Sequence, residues 1–130
     1  MTARQELVDA ARARASRQKG EAMKVVVSSI SDSLAANYTD FENAFGFGPC
    51  GAYAALKREQ GWGKVAVCTA SDGKVEFTHY VIITTDGIVD LANPLDCELT
   101  YTDLDILNDD EMPELCDDRE AIDWLAEREI

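Results

Sequence analysis

Between Lys64 and Leu91 the chain carries three runs rich in β-branched residues, Lys64 to Ala70, Val75 to Ile83 and Ile88 to Leu91, punctuated by Ser71-Asp72-Gly73 and Thr85-Asp86-Gly87. Runs of this kind favour a pleated surface, and Asp-Gly pairs between them favour tight reversals, so the segment predicts an antiparallel meander. Leu99 to Tyr101 can add a further short strand. A meander cannot bury a face alone, so the rest of the chain must supply helices to cover it.

Helical signals lie on both sides. Thr2-Ala3-Arg4-Gln5 fits a capping box, and Leu7, Val8, Ala11 and Ala15 follow at helical spacing up to Gly20. Residues 21–37 carry two competing patterns. Val25-Val26-Val27 favours a strand, while Met23, Val26, Val27, Ile30 and Leu34 keep a helical period, and the longer pattern favours a second helix. Asp40 can cap a short turn through Phe45, which Gly46-Phe47-Gly48 then breaks. Pro49 suits a first helical position and Gly61 a helix end, which places Cys50 in the first turn of a helix. Asp117 or Asp118 can cap a last helix with Ile122, Leu125 and Ala126 on its apolar face. The expected fold class is α+β, with residues 1–130 forming one domain.

Cys50 and His79 hold the chemistry. A thiol at a helix N-terminus meets unpaired N–H groups and the positive end of the helix dipole, both of which favour thiolate; a cysteine among alanines also packs well as a small hydrophobe. His79, the single histidine, opens the apolar run Tyr80-Val81-Ile82-Ile83, where a buried ring needs polar partners. If Thr85-Asp86-Gly87 is a three-residue loop, Thr84 pairs with Ile88, and His79 faces Asn93 while Asp90 points to the other side. A two-residue loop shifts the register and brings Asp90 to the histidine face. Asn93 is therefore the first choice of partner and Asp90 the second. Nucleophile, base and orienting group in the order Cys, His, Asn make a constellation for acyl transfer through a thioester.

The segment Gly48-Pro49-Cys50-Gly51-Ala52-Tyr53-Ala54-Ala55-Leu56, with His79-Tyr80-Val81-Ile82, Asp86-Gly87 and Asn93-Pro94, resembles the papain-like cysteine peptidase superfamily, in particular its C39-like and transglutaminase-like branches. The resemblance spans about residues 40–96. It implies a papain-like fold in which the nucleophile helix packs on a small antiparallel sheet, with Cys50 as nucleophile, His79 as general base and then acid, and Asn93 as the orienting residue. Papain-like enzymes usually hold an oxyanion-stabilising glutamine a few residues before the cysteine. Here the nearest upstream amide is Asn43, which becomes the candidate donor beside the Cys50 backbone N–H. Phe47, Tyr53 and Trp62 flank the cysteine and are candidates to line a substrate cleft for a peptide or a small amide or ester.

Charge bounds the partners. The formal charge is −13, and residues 96–130 alone hold fourteen acidic against two basic side chains. Such a surface repels phosphate backbones, which excludes nucleic acid as an expected partner. It also opens a second reading: a non-catalytic papain-like fold that grips a basic protein through Asp109-Asp110-Glu111 and Asp117-Asp118. Four cysteines without a CxxC pair, and only one histidine, argue against a metal site, so neither metal nor cofactor is expected. No apolar run is long enough to cross a membrane, and the N-terminal stretch lacks the apolar core of a secretion signal, so reduced thiols and a cytoplasmic location are the expectation.

Overall fold

The computed structural model describes residues 23–95, 97–108, 110, 112–113 and 116–130. The expected helix over residues 2–20 lies outside them. The meander forms as β2 (Lys64–Ser71), β3 (Glu76–Thr84) and β4 (Gly87–Asp90), and two more strands, β1 (Val25–Ser28) and β5 (Thr100–Ile106), extend it to a five-stranded sheet in the order β1-β4-β3-β2-β5. β5 runs well past the three residues that the sequence suggests, pairing antiparallel with β2 from Ser71↔Thr100 to Ala66↔Ile106.

Two expectations are corrected here. First, residues 21–37 do not form one helix: Val25–Ser28 is a strand, parallel to β4. The β-branched run prevails over the helical period because β4 otherwise leaves an unpaired edge, and Lys24 O accepts from Ile88 N at 2.8 Å as the two strands meet. Helix α1 (Asp32–Phe45) starts only after Ser31, whose hydroxyl accepts from Leu34 N at 3.3 Å, and runs unbroken through Asp40 to Gly46, left-handed at φ 80°. Second, the β3–β4 turn is two residues long. Thr84 pairs with Gly87, Ile83 with Ile88 and Ile82 with Val89, so by the same count Asp90 comes opposite Val81, on the face that His79 shares.

Helix α2 (Cys50–Glu59) begins one residue later than the first-position reading of Pro49, which serves as its N-cap, and is followed by Gly61 at φ 84°. Ala52, Ala54 and Ala55 are buried, and their small side chains let α2 lie close against the sheet residues Val65, Tyr80 and Ile82. Helix α3 (Arg119–Glu127) is capped by Asp118 and covers α2, burying Ala121, Ile122 and Leu125; Ala126, expected on that face, is exposed. Leu34, Phe41 and Leu125 are fully enclosed, and each such side chain stabilises the fold by about 1.5–3 kcal/mol. The result is a mixed α+β architecture of three helices and a five-stranded sheet among the described residues. Among them, no helix is long and apolar enough to cross a membrane.

Candidate active site

His79 sits near the middle of β3, 1% exposed, with the Phe77 ring edge-on at 5.4 Å. Its Nε2 lies 2.8 Å from Asp90 Oδ2 on the neighbouring strand, and the pair is wholly buried. That carboxylate is well supplied with donors. The Tyr101 hydroxyl donates to Oδ2 at 2.7 Å, and the backbone N–H of Ala92 donates to Oδ1 at 3.0 Å. Ser28 Oγ in turn bonds the Tyr101 hydroxyl, so β1, β3, β4 and β5 all contribute to one polar cluster.

Asn93, the first choice for the orienting residue, does not face the ring. Its side-chain amide donates to Ser28 Oγ at 3.1 Å and to Cys97 O at 2.7 Å, and its oxygen accepts from Leu95 N at 3.0 Å. The two-residue turn is the physical reason: it moves β4 relative to β3 and gives the histidine face to Asp90. Asn93 instead braces the loop that follows Asp90 and reaches the cluster through Ser28.

The thiol of Cys50, half-buried in the first turn of α2, lies near enough to bear on the ring electrostatically. Burial pulls the His79 pKa down, but hydrogen bonding with Asp90 and with Cys50, together with their negative charges, outweighs burial and lifts it to about 9. Because Nε2 is taken by Asp90, Nδ1 is the ring nitrogen left for the sulfur. The helix start is open as well. Pro49 makes no side-chain cap, so the first N–H groups of α2, that of Cys50 among them, are left without a capping side chain.

The remaining thiols differ. Burial pushes Cys68 and Cys116 up to about 12, while Cys97 is exposed; no cysteine is in a disulfide. No group of three or more His, Cys, Asp or Glu among the described residues is placed to hold a metal ion.

The other candidates separate. Asn43 is exposed on α1, and no hydrogen bond joins it to Cys50 or His79 among the described contacts. Phe47 packs into an aromatic group with Phe41 at 5.7 Å and Phe45 at 6.0 Å, which Trp124 joins against Phe41 and Phe45, so it serves the core. Tyr53 and Trp62 line a cleft of about 10 Å³ with Lys57, Tyr80, Asp90 and Ala92, whose wall includes neither Cys50 nor His79. Lys57 Nζ lies 5.1 Å from the Tyr53 ring centre and 4.7 Å from that of Trp62, and burial lowers its pKa.

Reasoning from sequence missed Tyr101 and Ser28. Neither stands near Cys50 or His79 in the chain, and the pairing of β1 with β4 and of β5 with β2 brings them to Asp90. Comparison with protein-family models, with curated proteins and with solved structures finds no match to this chain.

Proposed function

We propose that this chain is a papain-like thiol hydrolase or acyltransferase acting through Cys50, His79 and Asp90. The single observation that carries the reading is the buried His79–Asp90 pair at 2.8 Å, set against a thiol at an uncapped helix start. His79 takes the proton of Cys50 as the sulfur attacks, and Asp90 holds the ring's far nitrogen and balances its charge. The sulfur attacks the carbonyl carbon of a peptide, small amide or ester, forming a C–S bond. His79 gives its proton to the departing amine or alkoxide as the C–N or C–O bond breaks, which leaves a thioester. Water, or an acceptor amine, then loses a proton to His79 and attacks the thioester, releasing the acid or the transferred product and returning the thiol. A ring that keeps its proton up to about pH 9 is suited to the acid half of that cycle.

The test is site-resolved alkylation by iodoacetamide together with hydrolysis of p-nitrophenyl acetate. Cys50 is expected to alkylate faster than the exposed Cys97 and far faster than Cys68 or Cys116. His79→Ala, checked for retained fold by circular dichroism, is expected to remove that advantage and lower Cys50-dependent ester hydrolysis by about 10²–10⁴-fold. Alkylation of Cys50 no faster than that of Cys97, and indifferent to His79, sinks the proposal. A second reading, a non-catalytic module that binds a basic protein, draws support from the exposed carboxylates of Asp110 and Asp117 and from the small volume of the cleft. Asp109 and Glu111 of the same run lie outside the described residues. Salt-sensitive association with a cationic polypeptide, without a reactive Cys50, is its signature.

A further inference from the structure

A thiol hydrolase needs a donor for the oxyanion that forms when sulfur adds to a carbonyl, and the exposed Asn43 is not at the site. The structure offers another group. Tyr38, about two turns into α1 after Ser31, is half-buried and points its hydroxyl at the loop leading into Cys50: a methyl group at position 48 would lie 3.2 Å from that oxygen. Gly48, two residues before the cysteine, is therefore where the Tyr38 hydroxyl meets the loop that leads into α2, and its missing side chain makes room for that approach. No hydrogen bond occupies the Tyr38 hydroxyl among the described contacts, whereas the Tyr101 hydroxyl is engaged by Asp90 and Ser28. The negative charge of Cys50 is felt at Tyr38, where burial first, then Cys50 and Glu42, push the phenol up to about 12. The phenol thus keeps its proton throughout the working range and remains a donor.

Resting on the thiol-hydrolase reading, we propose that the Tyr38 hydroxyl and the Cys50 backbone N–H together form the oxyanion hole, Tyr38 standing in for the amide side chain that this site lacks. Addition of the Cys50 sulfur to the acetyl carbon of p-nitrophenyl acetate places a negative charge on the former carbonyl oxygen. The Tyr38 O–H donates to that oxygen without giving up its proton. Collapse then expels p-nitrophenolate and leaves acetyl on the sulfur. Displacement of iodide from iodoacetamide, by contrast, occurs at a saturated carbon and creates no oxyanion, so it makes no use of the donor.

The difference between the two reagents is the test. In Tyr38→Phe the ring remains and only the hydroxyl is lost. Acetylation of Cys50, followed by nitrophenolate release and by mass spectrometry, is expected to slow about 10²-fold, while iodoacetamide alkylation of Cys50 keeps the native rate. Equal slowing with both reagents would mean that Tyr38 merely positions the cysteine, and unchanged acetylation would mean that it does nothing; either overturns the assignment while His79-dependent alkylation keeps the hydrolase reading standing. If the native protein is not acetylated at Cys50 at all, both proposals fall together.

Discussion

The chain has one histidine, so an imidazole C–H resonance followed against pH reports on His79 alone. Its midpoint is expected near 9, more than two pH units above the ordinary value of 6.5, because Asp90 and Cys50 favour the protonated ring by more than burial opposes it. At about 1.4 kcal/mol per pH unit, that difference represents on the order of 3 kcal/mol of preference for the charged ring. Asp90→Asn keeps the size of the side chain and removes its charge, so burial meets less opposition and the midpoint should fall by about two units, toward or below the ordinary range. Cys50→Ser leaves Asp90 in place and should hold the midpoint above 6.5. The same shift governs stability. Since the folded ring has the higher pKa, the folded protein binds the extra proton between about 6.5 and about 9. The pair's contribution is then complete below pH 6.5 and is lost as pH rises through about 9. Urea unfolding is best followed in Cys50→Ser, where no thiol shares the transition, and should lose up to roughly 1.4 kcal/mol per pH unit over the part of this window below its own histidine midpoint. Adding Asp90→Asn should flatten that dependence. A native midpoint at or below 6.5, or one that Asp90→Asn leaves in place, would refute the reasoning.

Two further substitutions probe the frame around the site. Tyr101→Phe removes a donor at 2.7 Å from the buried Asp90 carboxylate and frees Ser28, and should cost about 1.5–3 kcal/mol in urea unfolding. Gly87→Ala would place a methyl group 2.1 Å from Lys24 O at a backbone φ of 133°, so it should cost more than about 2 kcal/mol and speed hydrogen exchange at the Ile88 amide that bonds Lys24. Gly73→Ala, strained at φ 96° but with open space around it, is the milder comparison.

The parts of the fold that sequence made legible are those fixed by local chemistry. β-branched runs separated by Asp-Gly pairs announce the meander, Pro49 and Gly61 bracket the Cys50 helix, and Asp118 marks the start of α3. What escaped depends on distant partners or on a single residue of register. Val25–Ser28 reads equally as helix until β4 is present to pair with it. Asn93 and Asp90 exchange roles on whether the turn holds three residues or two, a choice that Thr85-Asp86-Gly87 leaves open and the assembled sheet settles. Tyr38 and Tyr101 carry no local mark at all. Their importance follows from where α1 and β5 lie against the site, at Gly48 and at Asp90 respectively.

The bond between Ser28 and Tyr101 joins residues 73 positions apart in the chain, and it supports a carboxylate on the strand that lies between them in sequence. Closing so long a span is slow compared with forming the β2–β3–β4 hairpins, whose contacts are local. His79 and Asp90 are therefore brought to adjacent strands early in folding, while the donors that steady the carboxylate arrive only when the first and last strands have docked. A partly folded chain would hold Asp90 without its full set of donors. Order of assembly thus leaves the His79–Asp90 pair incompletely braced until both outer strands are in place, and the environment of the single histidine becomes a reporter of whether the whole sheet has closed.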